Sequence, residues 1–446
     1  MPTDSPEKVM VSRSLPTYLL ENTGLFFWLM GKYISNLVIS KAINLLVHVN
    51  GHNKNFSKLL ADLSLEAIDK QKDTVLDLTL LGFRVITIHT VVTREAIEDA
   101  YIAPFRDQFL LVSALLDGYG QHSFIHKPTG YAHDKLVLKT ALLAGQDELI
   151  NRMREQLETT FNQPTLWETT PVSEIVRKMV MVLFGEIFLG IDKVQLLEVY
   201  DSLTTLLDTF ERMWQHPDEF NPIRMFILYQ QLSAISDYLH IHRRAADVPD
   251  DFARQYDRPM NVTAIFLVAS NLIHFVTASI LYQCTKGIEP DASDKKLEDL
   301  SYELATYRFT DSRIYRYYPN HLFGPSPTLK IGNGLISPRS LVIIPQGDIN
   351  HKRMASHSFR REDGRVRPPA LFGVGRPCPG SNISYAAVKS AFFAVKKTGM
   401  RFVANPEQAE SYHRFIQHRE NWYQGIPEQE PPVTGRWVSD SPTTPR

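Results

Sequence analysis

Of the two cysteines in this 446-residue chain, Cys284 and Cys378, only the second sits where a sulfur could do chemistry. Cys378 lies in Phe372-Gly-Val-Gly-Arg-Pro-Cys-Pro-Gly380, a turn whose prolines and glycines leave the sulfur open and hold backbone N–H groups near it. Helical periodicity begins immediately afterwards, near Asn382. Hydrogen bonds to sulfur and a helix N-terminus both stabilise negative charge, so this loop suits a metal-bound thiolate. A cysteine without such a loop is more often a small buried hydrophobe, and Cys284 is read that way. A second group of polar residues, Ser270, Asn271 and His274, interrupts the longest apolar run, Asn261 to Thr285, which holds no acid, lysine or arginine. An amide there either satisfies backbone groups at a helix kink or meets a bound molecule. For His274 a satisfied core histidine is the better reading.

These residues need a scaffold, and the periodicities supply one. Thr74–Gly82 and Phe83–His89 alternate as two strands broken by a glycine, the pattern of a hairpin. From Thr93 to about His240 the apolar spacing is mainly helical, as in Asp147–Phe161 and Val172–Leu189. The run 261–285 is a core helix, too polar in places for lipid. Leu300–Tyr318 reads as a helix ended by Pro319, and Thr328–Pro345 as short strands with turns at Gly332, Asn333 and Gly334. Ser381–Thr398 is helical again. The expected architecture is mainly α with a small β-rich lobe, divided into an N-terminal helical region (1–70), one large domain (71–424) and a disordered tail rich in Pro, Glu, Ser and Thr (425–446).

Composition narrows the class. With 43% hydrophobic residues, 48 basic against 49 acidic residues and a formal charge of −1, no overall field attracts nucleic acid, which is not an expected partner. Two distant cysteines give no disulfide framework and fit an intracellular setting. The apolar run Gly24–Met30 is shorter than the roughly 20 residues a bilayer span requires. It reads as a buried or interfacial helix, or as a membrane-surface contact through Phe26, Phe27 and Trp28. No signal-peptide pattern is present. The expected location is the cytosol or, peripherally, the endoplasmic reticulum.

Phe372, Gly375, Arg376, Cys378 and Gly380 together resemble the haem-binding loop of the cytochrome P450 superfamily, and the chain is similar to divergent members of fungal specialised metabolism. The resemblance implies haem b with Cys378 as axial iron ligand, its thiolate pushing electron density that favours O–O cleavage. It implies a haem propionate contact for Arg376, although Gly375 and Arg376 are adjacent where the family has one residue between them. His133 is the propionate candidate in Gly130–Leu142, and a surface histidine is equally in keeping. Thr74–His89 corresponds to the family's first sheet, and Phe105–Gly120 to the segment before a haem-contacting helix. The helix bearing the family's Glu-x-x-Arg pair corresponds to Leu300–Pro319, with Arg313-Ile-Tyr-Arg316 in its place. Arg313 and Arg316 are then structural, and since a buried arginine without a partner is costly, Asp311 or Glu362 is expected to compensate.

On the central helix the family carries an acid and a threonine that deliver protons to dioxygen. The resemblance puts Leu272 and Ile273 in those positions, so that relay is missing. One reading keeps a monooxygenase that takes protons from water, Ser270, Asn271 or the substrate. The other is an isomerase or dehydratase of a hydroperoxide or endoperoxide, with the Asn271 amide on a peroxide oxygen and no need for dioxygen. A third class, a haem-free scaffold, follows if the altered loop binds no cofactor. Between Lys352 and Lys397 ten basic residues stand against Glu362 and Asp363. In the family such a positive face docks an acidic, NADPH-dependent flavin reductase. The expected substrate is a lipophilic small molecule.

Overall fold

The computed structural model describes residues 15–102, 106–107, 140–215, 222–243, positions 266, 269, 272, 273, 276, 277 and 279–281, then 314–318, 328–338, 340–345, 349, 381–398, 400–419 and 431–439. Three helices open it: α1 (Leu15–Glu21), α2 (Thr23–Val49) and α3 (Phe56–Lys70). Asn55 caps α3, its side-chain oxygen accepting from the Lys58 N–H at 2.9 Å, which satisfies one of the free donors of the first turn.

The hairpin expected from the sequence is present. Strand β1 (Thr74–Leu80) pairs antiparallel with β2 (Phe83–Thr90). Leu81 and Gly82 make the turn with φ of 51° and 80°, both left-handed, as the two-residue turn that matches strand twist requires. Helix α4 (Arg94–Ile102) and the short β3 (Arg106–Asp107) follow.

Strand β2 then pairs in parallel with β7 (Ser340–Ile344), and β4 (Ile314–Tyr318) lies antiparallel to β7, giving the order β1-β2-β7-β4-β3. All of β7 is buried because it is covered on both faces. Leu341 and Ile343 pack with Leu46, Leu59 and Leu60 of α2 and α3. Val342 and Ile344 pack with Ala96, Ile97 and Ala100 of α4. A separate hairpin, β5 (Leu329–Ile331) and β6 (Gly334–Ile336), turns at Gly332, where a Cβ would lie 2.9 Å from that of Ala96.

The helical body comprises α5 (Gln146–Phe161), α6 (Pro164–Thr169), α7 (Val172–Leu189), α8 (Lys193–Glu198), α9 (Tyr200–Gln215), α10 (Pro222–Ile241) and α11 (Ser381–Thr398). Most of α7 is buried, and it ends on Gly190 in the left-handed conformation. Leu149, Met153 and Leu157 of α5 share one core with α7, α11 and the described central positions. After α11 come β8 (Met400–Ala404), α12 (Pro406–Arg419) and β9 (Gly435–Ser439).

Two expectations are corrected. Residues 314–318 form a strand, so Arg316 is not on a helix: it is opposite Val342 of β7 and Asp107 of β3. And within the stretch read as a disordered tail, residues 435–439 form a strand. β9 pairs along all of β8, and Trp437 is buried with its ring centroid 4.2 Å from Phe161 and 5.3 Å from Phe402. Among the described residues no helix is long and apolar enough to cross a membrane.

Candidate functional site

Phe372, Gly375, Arg376, Cys378, Gly380, His133, Ser270, Asn271 and Arg313 lie outside the described residues, as do Asp311, Glu362 and Cys284. The elements that hold their neighbours are well defined. Helix α11 begins at Ser381, directly after Cys378-Pro-Gly380, and its first turn carries no acidic residue. Its positive end is therefore not neutralised from within the helix. Ile383, Ala387, Ala391 and Val395 recur every fourth residue, are buried, and place α11 along α5. The alanines let the two helices approach closely, so the chain leaving the cysteine loop is anchored on the core. At the other end of α11, Lys397 donates to a Glu158 oxygen of α5 at 2.8 Å. Lys389 stands over the Phe393 ring at 5.7 Å. Part of the basic run is thus engaged within the fold.

The central segment is the second element. Its nine described positions are all helical and none is more than 3% exposed. Leu272 and Ile273 are among them, apolar and dry. Four residues beyond Ile273, hence on the same helical face, the Thr277 hydroxyl is fully buried with no hydrogen-bond partner among the described residues. Buried hydroxyls are nearly always paired, so this one calls for a partner outside the described residues. Thr277 is absent from the residues singled out by sequence; the available signal is a hydroxyl one turn after Ile273 in a mostly apolar run. The third element is β4, which brings the Arg316 backbone into the sheet beside buried β7. Among the described residues no cluster of His, Cys, Asp and Glu could hold a bare metal ion.

No sequence-family model matches the chain, and no curated protein sequence does. Solved structures do. A variant of cytochrome P450 OleT in complex with arachidonic acid superimposes with a TM-score of 0.59, covering 87% of this chain and 98% of its own at 12% identity. The chain has the cytochrome P450 fold. CYP175A1 from Thermus thermophilus agrees, with a TM-score of 0.56 at 14% identity over 78% of this chain and 89% of its own. So does cytochrome P450 TxtC, described in sequential aliphatic and aromatic thaxtomin hydroxylation, with a TM-score of 0.51 at 14% identity over 78% and 93%. Within the P450 fold the dry central segment and the start of α11 are the two elements between which the sequence reading puts its site.

Proposed function

We propose that this chain is a haem-thiolate oxidoreductase of the P450 type, a monooxygenase acting on a lipophilic small molecule in specialised-metabolite biosynthesis of the fungal kind. The observation that carries the reading is the conjunction of a P450 fold with a cysteine loop that runs straight into α11, a helix locked to the core. Two features of the described residues fit the cofactor: the acid-free first turn of α11 and the orphaned Thr277 hydroxyl of the central segment. The structural relatives support a lipophilic substrate, since one is in complex with arachidonic acid and another hydroxylates aliphatic and aromatic positions.

Held by Cys378, haem b supplies dioxygen activation or O–O bond cleavage. The chain's own residues do the rest. The loop, through Phe372, Gly375 and Gly380, shapes the turn that exposes the Cys378 sulfur, and the α11 N-terminus stabilises its negative charge. Arg376 and His133 are the candidates for the propionates, with Arg316 of β4 structural or propionate-linked and Arg313 structural. Leu272 and Ile273 exclude water from the central helix and offer no proton. Proton supply falls to the polar set Ser270, Asn271 and Thr277. The basic residues between Lys352 and Lys397 are the proposed docking set for an acidic, NADPH-dependent flavin reductase. The haem domain is taken to begin at residue 71, and the pairing of β9 with β8 supports extending it past 424 to Ser439.

A second reading is favoured by one observation, the buried Leu272 and Ile273 where an acid and a threonine would deliver protons. An isomerase or dehydratase of a hydroperoxide needs no such delivery, only the Asn271 amide donating to a peroxide oxygen of the substrate. The carbon monoxide difference spectrum of the reduced protein, beside that of Cys378→Ala, tests the common core. A strongly red-shifted Soret band in the parent, lost in the variant, is expected. No haem in the parent overturns both readings and leaves a scaffold. Turnover with reductase, NADPH and dioxygen identifies the monooxygenase; turnover with a lipid hydroperoxide alone identifies the isomerase.

A further inference from the structure

Gly24, Phe27, Gly31, Ile34, Val38, Lys41, Leu45 and His48 of α2 are all exposed, with Phe27 at 67% and Leu45 at 64%. They are spaced alternately three and four residues apart, the heptad spacing of a coiled-coil seam. At about 1.5 Å per residue the seam is about 36 Å long. A seven-residue repeat drifts only about 20° around a helix per heptad, so these positions keep to one side. Leu25, Leu29 and Val47, which are buried, lie on the other.

The seam is complementary to itself. Helix α2 runs from Thr23 to Val49, so its midpoint is residue 36. Two antiparallel copies in full overlap set Gly24 opposite His48, Phe27 opposite Leu45, Gly31 opposite Lys41 and Ile34 opposite Val38, each match occurring twice by symmetry. Large apolar side chains meet each other, and each glycine meets a long polar one. Opposite Gly31 the stem of Lys41 has room to lie along the helix with its ammonium at the rim. A parallel pair would instead stack Gly31 on Gly31, leaving a void, and Lys41 on Lys41. Nothing among the described residues of the protomer requires Gly31, since a Cβ there would have no atom within 4 Å, and glycine in a helix interior is less stable than alanine. A second helix in close approach does require it. A lipid surface has no holes to match and would select neither the heptad spacing nor the glycine.

We propose that this chain forms an isologous dimer in which α2 of two copies pack antiparallel as a short coiled coil. Beyond the helix, Asn50 donates to the Thr79 carbonyl at 2.8 Å and accepts from the Thr79 N–H at 3.0 Å, which fixes the β1–β2 hairpin at the C-terminal end of α2. Its exposed tip residues, Leu81 and Phe83, stand at the end to which antiparallel pairing brings the second copy's α1, with exposed Leu20. Two-fold symmetry then covers both patches at once. No residue assigned to the cofactor takes part, so the dimer stands or falls independently of the reading above.

Sedimentation equilibrium of the full-length protein, without lipid or detergent, tests the seam. The dimer is expected to predominate at about 50 µM and the monomer at about 0.5 µM, the micromolar range of a small interface. Ile34→Lys and Val38→Glu, each alone, are expected to weaken association by about tenfold or more, because each sets a charge against an apolar side chain. The double variant is expected to recover most of that loss, because antiparallel pairing sets the two introduced charges opposite each other. At about 0.5 µM, where the monomer prevails, the thermal midpoints of all three are expected to match the parent's, which separates lost pairing from lost folding. On oxidation, a mixture of Phe27→Cys and Leu45→Cys chains is expected to give a disulfide-linked dimer that the parent and either variant alone do not give, since residue 27 lies opposite residue 45 and about 27 Å from its own copy. A parent that is monomeric at about 50 µM overturns the proposal, and if that monomer sediments with phospholipid vesicles, lipid is what covers the face. Single variants that associate like the parent, a double variant no tighter than the singles, or crosslinking within one variant alone also overturn it.

Discussion

His89 shows what burial does to one titratable group. It sits in β2 opposite Val75 and Val342, only 8% exposed, with its Nε2 unpaired among the described residues. Desolvation pushes its pKa down from 6.5 to about 4, against the pull of the Asp77 carboxylate and with a small push from Arg84. In the unfolded chain the imidazole binds a proton near pH 6.5, whereas in the folded one it does so only near pH 4. The stability this neutral histidine allows is therefore fully present above about pH 6.5 and is lost as pH falls toward 4. About 2 kcal/mol should go between about pH 6.5 and about pH 5, read as a fall in the urea midpoint, and His89→Phe should flatten that slope. Thr277 makes the opposite case. A hydroxyl with no partner among the described residues costs the fold about 1 kcal/mol, so Thr277→Val should raise the thermal midpoint while lowering product formed per NADPH consumed. A midpoint that falls would mean the hydroxyl is satisfied in the cofactor-loaded protein and structural there. The thiolate reading of Cys378 is possible from sequence because proline and glycine punctuation is local. Thr277 escapes because a one-turn offset along a helix leaves no mark in an apolar run.

Elements are legible where one periodicity rules. Val172–Leu189 and Ser381–Thr398 have the bounds the sequence suggests, since a buried stripe and clear ends fix a helix. The hairpin is legible because Gly82 separates two runs of alternating residues. Misreading comes where tertiary pairing overrides local pattern. Residues 314–318, Ile-Tyr-Arg-Tyr-Tyr, look like the end of a helix in sequence, yet all but Arg316 are β-branched or aromatic and the segment pairs with β7. In the tail the prolines and glutamates point to disorder, while the informative residues are Gly435 and Trp437. A Cβ on Gly435 would lie 2.4 Å from the Val403 carbonyl, a backbone atom that cannot swing aside, so the close approach of β9 to β8 requires glycine. Trp437→Ala should cost about 3–5 kcal/mol by emptying the space between Phe161, Trp167 and Phe402. Chemical denaturation measures it. A loss below about 1 kcal/mol would return the strand to the status of an appendage.

At the scale of the molecule, a TM-score of 0.59 at 12% identity says that what is shared with the P450 fold is the pattern of burial rather than particular side chains. Cores tolerate wide replacement when volume and patterning are kept. Such a scaffold can fold with its cofactor site altered. Folding and cofactor binding are thus separable by measurement. Haem that binds only the folded chain stabilises it by mass action, by about 4 kcal/mol at a free concentration about a thousandfold above Kd. The parent should therefore unfold at a higher temperature with haemin than without. Cys378→Ala should lose most of the haemin increment. If haemin raises both proteins equally, the cofactor is held by its apolar surface alone and the thiolate does not bind the iron. If it raises neither, the P450 fold in this chain serves something other than haem chemistry.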